Sequence, residues 1–490
     1  MNPARIFLPL FAAASLTSAV ADDRPNILFI LADDLGWRDL ACYGNKFYET
    51  PNLDRLSEEG MRFTQAYAPA PICSASRAAF LTGKTPARLG FEFVTKNEPG
   101  FQPVDASLRA PAFTLNLSTE EKTIAEVLAE AGYETAFFGK WHLNRHHGRY
   151  LGWSPTHGPP AQGFLHATED FGSHPYSYWN KKEQRKFSPK IEHAMLPEDG
   201  MTGHAIRFLR GKHERPFFLM VSHFWVHTPV HTRAKWLHDR VLKRIPDTHP
   251  RRGELAQYGA MVETLDHHVG ELLAALKAAG LEKNTLVVFT SDNGGHPEYF
   301  GNAPLRGSKW NLYEGGIRVP FLVRLSAVIP PGTICETPVA GVDLLPTFAE
   351  VAEAAEADLP SDLDGKSILP LLQKPDAEFS ERDLFWHFPY YHPEGKKYDD
   401  APEKIGIDDG FTSKTKPNSV IRSGPWKLIR FYESGVGDEL YHLPADLSEQ
   451  KNRAASEPEI FGKLRGRLDA YLNQCGARMP VPNPAWQKND

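Results

Sequence analysis

Four short apolar-rich runs, Asn26–Leu31, Glu134–Gly139, Phe217–His223 and Thr285–Thr290, constrain what this chain can fold into. The first has almost no polar alternation, as a strand buried on both faces would, and such strands occur where helices cover a parallel sheet. Helical patterns separate the runs. Thr50–Glu59 carries Leu53 and Leu56, Leu115–Gly132 carries Ile124, Val127 and Leu128, and Gly253–Gly280 carries Leu255, Val262, Leu265, Val269, Leu272, Leu273 and Leu276. A further strand over Val319–Leu325 and a helix over Val342–Ala352 continue the alternation. The pattern predicts an α/β fold, with a large mixed, mostly parallel sheet sandwiched by helices. Beyond about residue 385 the character changes to short strands, Ser419–Arg422, Trp426–Tyr432 and Glu439–Leu443, and then a helix over Glu457–Asn473. The expected organisation is a catalytic-size domain over 22–385 and a C-terminal antiparallel-sheet-plus-helix (α+β) subdomain over 386–490.

Each of the four runs delivers polar residues. Asp33 and Asp34 follow the first, Lys140, Trp141 and His142 the second, His227 the third, and Asp292 and Asn293 the fourth. In open α/β sheets, ligands bind in the crevice beyond the carboxyl ends of the strands. Carboxylates gathered there repel by about 4 kcal/mol per pair at roughly 4 Å and an effective dielectric near 20, which a divalent cation relieves. All-oxygen ligation suits Ca²⁺ or Mg²⁺ better than Zn²⁺, and a site built mostly from protein ligands favours Ca²⁺. Cys73 stands at the start of a helix-forming run, with Arg77 close behind it. A helix N-terminus can activate a thiol and bind an anion, but a lone cysteine is as readily a buried apolar residue or half of a disulfide.

Three further stretches bear on a ligand. Residues 144–197 lack periodicity and are dense in His, Tyr, Trp, Gly and Pro, the make-up of an insertion that shapes a site or lid. Between Thr232 and Arg252, seven basic residues face only Asp239 and Asp247, which suits either a solvated surface or a strip for an anionic polymer. The loop from Leu305 to Pro320 holds Lys309 and the Glu314-Gly315-Gly316 triplet, whose glycines let backbone approach a ligand.

The segments Arg24-Pro25-Asn26 through Asp33-Asp34, Cys73 to Arg77 with Leu81-Thr82-Gly83, Gly139-Lys140-Trp141-His142, Ser291-Asp292-Asn293-Gly294, and Lys309 with Glu314-Gly315-Gly316 carry a resemblance. In motif and chain order they resemble the type I, formylglycine-dependent sulfatases of the alkaline phosphatase superfamily. The resemblance implies that a formylglycine-generating or radical-type sulfatase-maturing enzyme oxidises Cys73 to formylglycine. It further implies that Asp33, Asp34, Asp292, Asn293 and the modified residue 73 hold one Ca²⁺. Arg77, Lys140 and Lys309 would neutralise charge around the nucleophile and the sulfate, His227 would protonate the leaving alcohol, and His142 would take a proton as sulfate departs. Ala75 stands where the family more often has Pro, Asn144 replaces a common Gly, and Trp310-Asn311-Leu312 replace the small residues often found after the lysine.

Met1–Ala21 reads as a secretory signal peptide, with Arg5, an apolar run from Ile6 to Leu16, and Ala19-Val20-Ala21 before the cleavage point. The mature chain is therefore expected to be exported, periplasmic or secreted, with no membrane span. A net charge of −6 over 490 residues argues against nucleic acid as a partner, and four cysteines are too few for a disulfide framework. The expected substrate is a sulfated carbohydrate. A phosphomonoester or phosphonate hydrolase of the same superfamily, or a non-catalytic binder of sulfated glycans with Cys73 left as a thiol, are the alternatives.

Overall fold

A computed structural model describes residues 23–102, 105–178, 180–297, 302, 304–392 and 415–486. The signal peptide expected over 1–21 lies outside the described residues. Eight strands form the large sheet: β1 (Asn26–Ala32), β2 (Met61–Phe63), β3 (Glu134–Gly139), β4 (His166–Thr168), β5 (Phe217–Ser222), β6 (Thr285–Ser291), β7 (Phe321–Arg324) and β8 (Thr333–Cys335). Their order across the sheet is β8-β2-β7-β6-β1-β5-β3-β4. All neighbours pair in parallel except at β7, which runs antiparallel to both β2 and β6. The mixed, mostly parallel sheet is thus as expected.

Alternate residues of β1 enter opposite cores, which explains why the run shows no polar alternation. Leu28, Ile30 and Ala32 pack with α4 (Gly200–Leu209) and α5 (Arg252–Ala278), while Ile27, Phe29 and Leu31 pack with α2 (Cys73–Thr82), α3 (Ile124–Glu130) and α6 (Leu344–Val351). On the first face also lies α1 (Pro51–Glu59), through Leu53 and Leu56. The helix expected over 115–132 is confined to α3. A capping box closes its N-terminus: the Thr123 hydroxyl accepts from the Glu126 N–H and the Glu126 carboxylate accepts from the Thr123 N–H.

The smaller sheet is antiparallel, in the order β9 (Asp383–Phe388), β10 (Asn418–Ser423), β11 (Trp426–Phe431) and β12 (Glu439–His442). Its first strand, which has no counterpart in the sequence reading, crosses the boundary drawn at residue 385. One face receives Leu464, Leu468 and Leu472 from α7 (Pro458–Gln474), spaced one turn apart; the other packs on the main body, including Ala75 and Ala79 of α2.

Candidate active site

The sheet order brings four of the segments that build the site together. Since β6, β1, β5 and β3 are consecutive, the residues that follow them emerge side by side. Asp33 and Asp34 leave β1, Lys140 and His142 leave β3, His223 through His227 leave β5, and Asp292 and Asn293 leave β6. The chain turns sharply to do this: Asp34 and His142 adopt left-handed backbone with φ of 64° and 57°. Gly139, at φ 116°, lies so close to β5 that a Cβ would fall 2.0 Å from the Ser222 carbonyl oxygen. Gly294 is equally constrained, because its N–H donates to the Gly316 carbonyl and a Cβ would meet the Gly315 oxygen at 1.9 Å.

Cys73 is the first residue of α2, whose residues are all buried. Its Sγ lies 3.4 Å from Asp33 Oδ1 and 3.8 Å from Asp34 Oδ1. One turn on, Arg77 donates to Asp292 Oδ2 at 2.8 Å, to Ser222 Oγ at 2.6 Å and to the Lys140 carbonyl at 2.7 Å. Lys140 Nζ donates to Asp33 Oδ2 at 2.5 Å and Lys309 Nζ to Asp34 Oδ2 at 2.7 Å. Three buried carboxylates are therefore interleaved with three buried cations, so repulsion alone does not call for a metal here. Burial disfavours the Asp33 carboxylate, yet His227, Lys140, Arg77 and Lys309 together hold its pKa well below the usual range. Asp292 is pushed up to about 7 by burial and by the Asp33 charge.

His227 takes partners at both ring nitrogens. Nδ1 is 2.5 Å from the Thr228 carbonyl oxygen, which can only accept, so Nδ1 carries the proton and shares it with the Tyr176 hydroxyl, also at 2.5 Å. Nε2 then faces Lys309 Nζ at 3.2 Å and Asp34 Oδ2 at 3.5 Å. His142 is buried, its Nδ1 has no hydrogen-bond partner among the described residues, and burial and the Lys140 charge hold its pKa well below the ordinary value.

Residues 25–354 match the sulfatase family model. The chain belongs to the sulfatase family. Residues 308–474 also match the model of the C-terminal region of N-sulphoglucosamine sulphohydrolase. A sulfatase of Formosa agariphila is 31% identical, over 97% of this chain and 93% of the relative. The steryl-sulfatase of Mus musculus is 34% identical, over 77% of this chain and 70% of its own. Among solved structures, Ps i-CgsB in complex with k-i-k-neocarrahexaose superposes with a TM-score of 0.69 at 25% identity, covering 94% of both chains. This sulfatase is accordingly a sulfuric ester hydrolase with the fold of the alkaline phosphatase superfamily.

The residues present suit a cation. Donor atoms of Asp33, Asp34, Cys73 and His227 lie within 4.8 Å of one another. Asn293 donates through Nδ2 to Asp34 Oδ1 at 2.7 Å, while its Oδ1, fully buried, has no donor among the described residues. A buried carbonyl oxygen without a donor beside two carboxylates is what a hard cation satisfies. Asp292, expected as a ligand, here gives Oδ2 to Arg77 and Oδ1 to the Asp34 N–H at 3.1 Å.

Tyr176 was not singled out from the sequence, although the insertion that carries it was. From that insertion His146, Tyr150 and Tyr176 form a chain of ring contacts, with centroids 4.8 and 5.5 Å apart, that joins His142 at one end and His227 at the other. His174 Nε2 adds a bond to the His227 carbonyl at 3.1 Å. Trp310 is buried against His296 and His392, with Lys309 Nζ 5.7 Å from its ring. The basic run resolves as internal pairing for much of its length: Arg240 and Arg244 hold Glu263 and Glu49, Lys235 holds Asp239, and Arg252 holds Asp247.

Proposed function

We propose that this sulfatase removes sulfate from a carbohydrate ester, using formylglycine made from Cys73 and one Ca²⁺ held by Asp33, Asp34, Asp292, Asn293 and residue 73. The observation that carries this reading is the position of the Cys73 side chain, buried at the first turn of α2 against Asp33 and Asp34 and beside Lys140 and Lys309. Burial raises the thiol pKa, so an unmodified cysteine there would be a poor nucleophile. Its Sγ marks where the oxygens of the matured side chain would stand. When bound, the cation would draw charge from the sulfate, and the hydrated aldehyde would supply the attacking oxygen.

The chain's own residues divide the remaining work. Lys140 and Lys309 hold their ammonium groups at the mouth of the carboxylate pair, where an N–H of each can turn to a sulfate oxygen. Arg77 spans Asp292, Ser222 and the Lys140 carbonyl and so fixes the floor. His227 would act as the imidazolium, keeping Nδ1–H on the Thr228 carbonyl, giving its Nε2 proton to the leaving alcohol and returning to the neutral ring. His142 Nδ1 is the base for the second proton transfer. His227→Ala and His142→Ala should each lower turnover by about 10²- to 10⁴-fold, measured with an aryl sulfate.

Support for a carbohydrate comes from the saccharide held by the structural relative and from Tyr150, 55% exposed on the aromatic chain between the two histidines, where a sugar ring could stack. The sequence of residues 1–21 supports export to the periplasm or medium. No described helix is long and apolar enough to cross a membrane. The test is mass spectrometry of the tryptic peptide Phe63–Arg77 from natively expressed protein, together with turnover of aryl sulfate, aryl phosphate and a panel of sulfated saccharides. An aldehyde at residue 73 and preference for sulfate are expected. An intact thiol throughout would return the chain to a glycan-binding role, and faster phosphate or phosphonate turnover would move it to the other hydrolases of the superfamily.

A further inference from the structure

His267, His268 and Glu271 of α5 meet at a point that none of the catalytic residues contributes to, with ligand atoms within 4.8 Å of one another. Residues three and four apart on a helix share a face, so Glu271 can reach both histidines. His268 is 3% exposed and stacks on Trp225 at 5.4 Å. Its Nε2 lies 3.1 Å from the Pro197 carbonyl oxygen, which only accepts, and so Nε2 carries a proton. Nδ1 is then left facing Glu271 Oε2 at 2.7 Å, and an ionised carboxylate also has only lone pairs to offer. At this distance the two acceptors share a proton, which a metal ion bound at both atoms would displace. His267 Nε2, 3.7 Å from the same carboxylate oxygen, adds a third donor atom at that point.

Two features favour the metal. Ligating histidines ordinarily donate their other N–H to a backbone carbonyl or carboxylate, which is the bond His268 makes to Pro197. A cavity of about 500 Å³, lined also by Asp170, Glu198 and Asp199, opens on the three side chains and has room for water or a further carboxylate. Two imidazole nitrogens and a carboxylate oxygen match Zn²⁺ and exclude the hard-cation preference of the catalytic site. We propose that His267, His268 and Glu271 bind a Zn²⁺ on the face of α5, where one ligand, His268, also carries the hydrogen bond to Pro197 that joins α5 to the strap 197–199. Asp199 in turn accepts from Trp225 Nε1 at 2.9 Å and lies 3.2 Å from His223 Nδ1, so the tether reaches the segment between β5 and His227.

The site is tested on the full-length protein with Ca²⁺ in excess, cleared of transition metals and dialysed against Zn²⁺. Metal content by mass spectrometry should be one zinc per chain higher in the wild type than in His267→Ala, any zinc at the catalytic cluster being common to both. His267 has a side chain 46% exposed, so its replacement should leave the fold and the aryl-sulfate turnover of the zinc-free protein unchanged. Zinc should raise the melting temperature of the wild type and not of His267→Ala or Glu271→Gln, and titration should show zinc bound at least about tenfold more weakly by both variants. Co²⁺ in the same position should give the visible absorption of a tetrahedral nitrogen–oxygen site in the wild type alone. Equal zinc content and equal melting temperatures in wild type and His267→Ala would overturn the proposal and leave His268 and Glu271 as an imidazolium–carboxylate pair.

Discussion

Tyr176 and His227 set the finest scale at which this site is controlled. The tyrosine hydroxyl lies 2.5 Å from His227 Nδ1, and the Thr228 carbonyl at the same distance fixes which nitrogen is protonated. Tyr176→Phe keeps the ring that packs on Phe224 and removes one anchor of the imidazole. It should lower kcat by about tenfold with KM little changed, because the loss is of orientation at the proposed proton-transfer group rather than of substrate contact. A KM rise with unchanged kcat would instead place Tyr176 among the substrate-binding groups. Asp33, Asp34, Lys140, His142, Asp292 and Asn293 could be read from the sequence because each follows a recognisable buried strand. Tyr176 could not, since residues 144–197 have no period against which one tyrosine stands out. Nor did the sequence disclose that Lys140, Lys309 and Arg77 neutralise the three carboxylates one for one, which is a matter of side-chain reach.

Between elements, the small sheet meets the loop that carries Lys309 through a buried ionic cluster. Lys427 of β11 donates to Glu314 Oε1 at 3.0 Å and forms an ion pair with Glu449 Oε1 at 2.8 Å, all three side chains being fully buried. Arg318 and Tyr67 complete Glu314, whose pKa is lowered to about 2 against the effect of burial by Lys427 and Arg318. Lys427→Met leaves two buried carboxylates without their shared cation and should cost about 3–5 kcal/mol in urea unfolding, since removing one partner of a buried pair is strongly destabilising. The seam between β9 and β10 adds a pH dependence. His387, directly across from Ser419, donates through Nε2 to the Arg478 carbonyl and pairs with the Ser419 hydroxyl at Nδ1, and burial lowers its pKa to about 4. The folded state favours neutral imidazole, so stability is present above the unfolded value near 6.5 and is lost as pH falls towards 4, by up to about 1.4 kcal/mol per pH unit. Denaturation midpoints between these pH values should fall less steeply in His387→Gln. Strand β9 escaped sequence reading because Asp383–Phe388 has no helix or turn signal of its own, and gains its identity only by pairing with β10 across residues 389–417.

For the molecule as a whole, the balance of charge beneath the catalytic cleft decides how folding and metal binding are coupled. Were the three carboxylates unopposed, removing a cation would leave repulsions of about 4 kcal/mol per pair at roughly 4 Å, enough to threaten a domain of ordinary stability. Here Lys140, Lys309 and Arg77 each engage one carboxylate, and the strands that deliver them are cross-braced by backbone bonds such as Lys140 N–H to the Ser222 carbonyl at 2.9 Å. On the proposed reading the fold should therefore stand without the ion, which would add its binding energy on top. Chelation of Ca²⁺ should abolish aryl-sulfate turnover while leaving the far-ultraviolet circular dichroism and a single cooperative melt in place. Restoring Ca²⁺ to about 100 times its dissociation constant should return activity and add about 2.7 kcal/mol of stability, seen as a rise in Tm. Cooperative unfolding on chelation alone would show that the three cations do not offset the carboxylates, and that the site folds only around its metal.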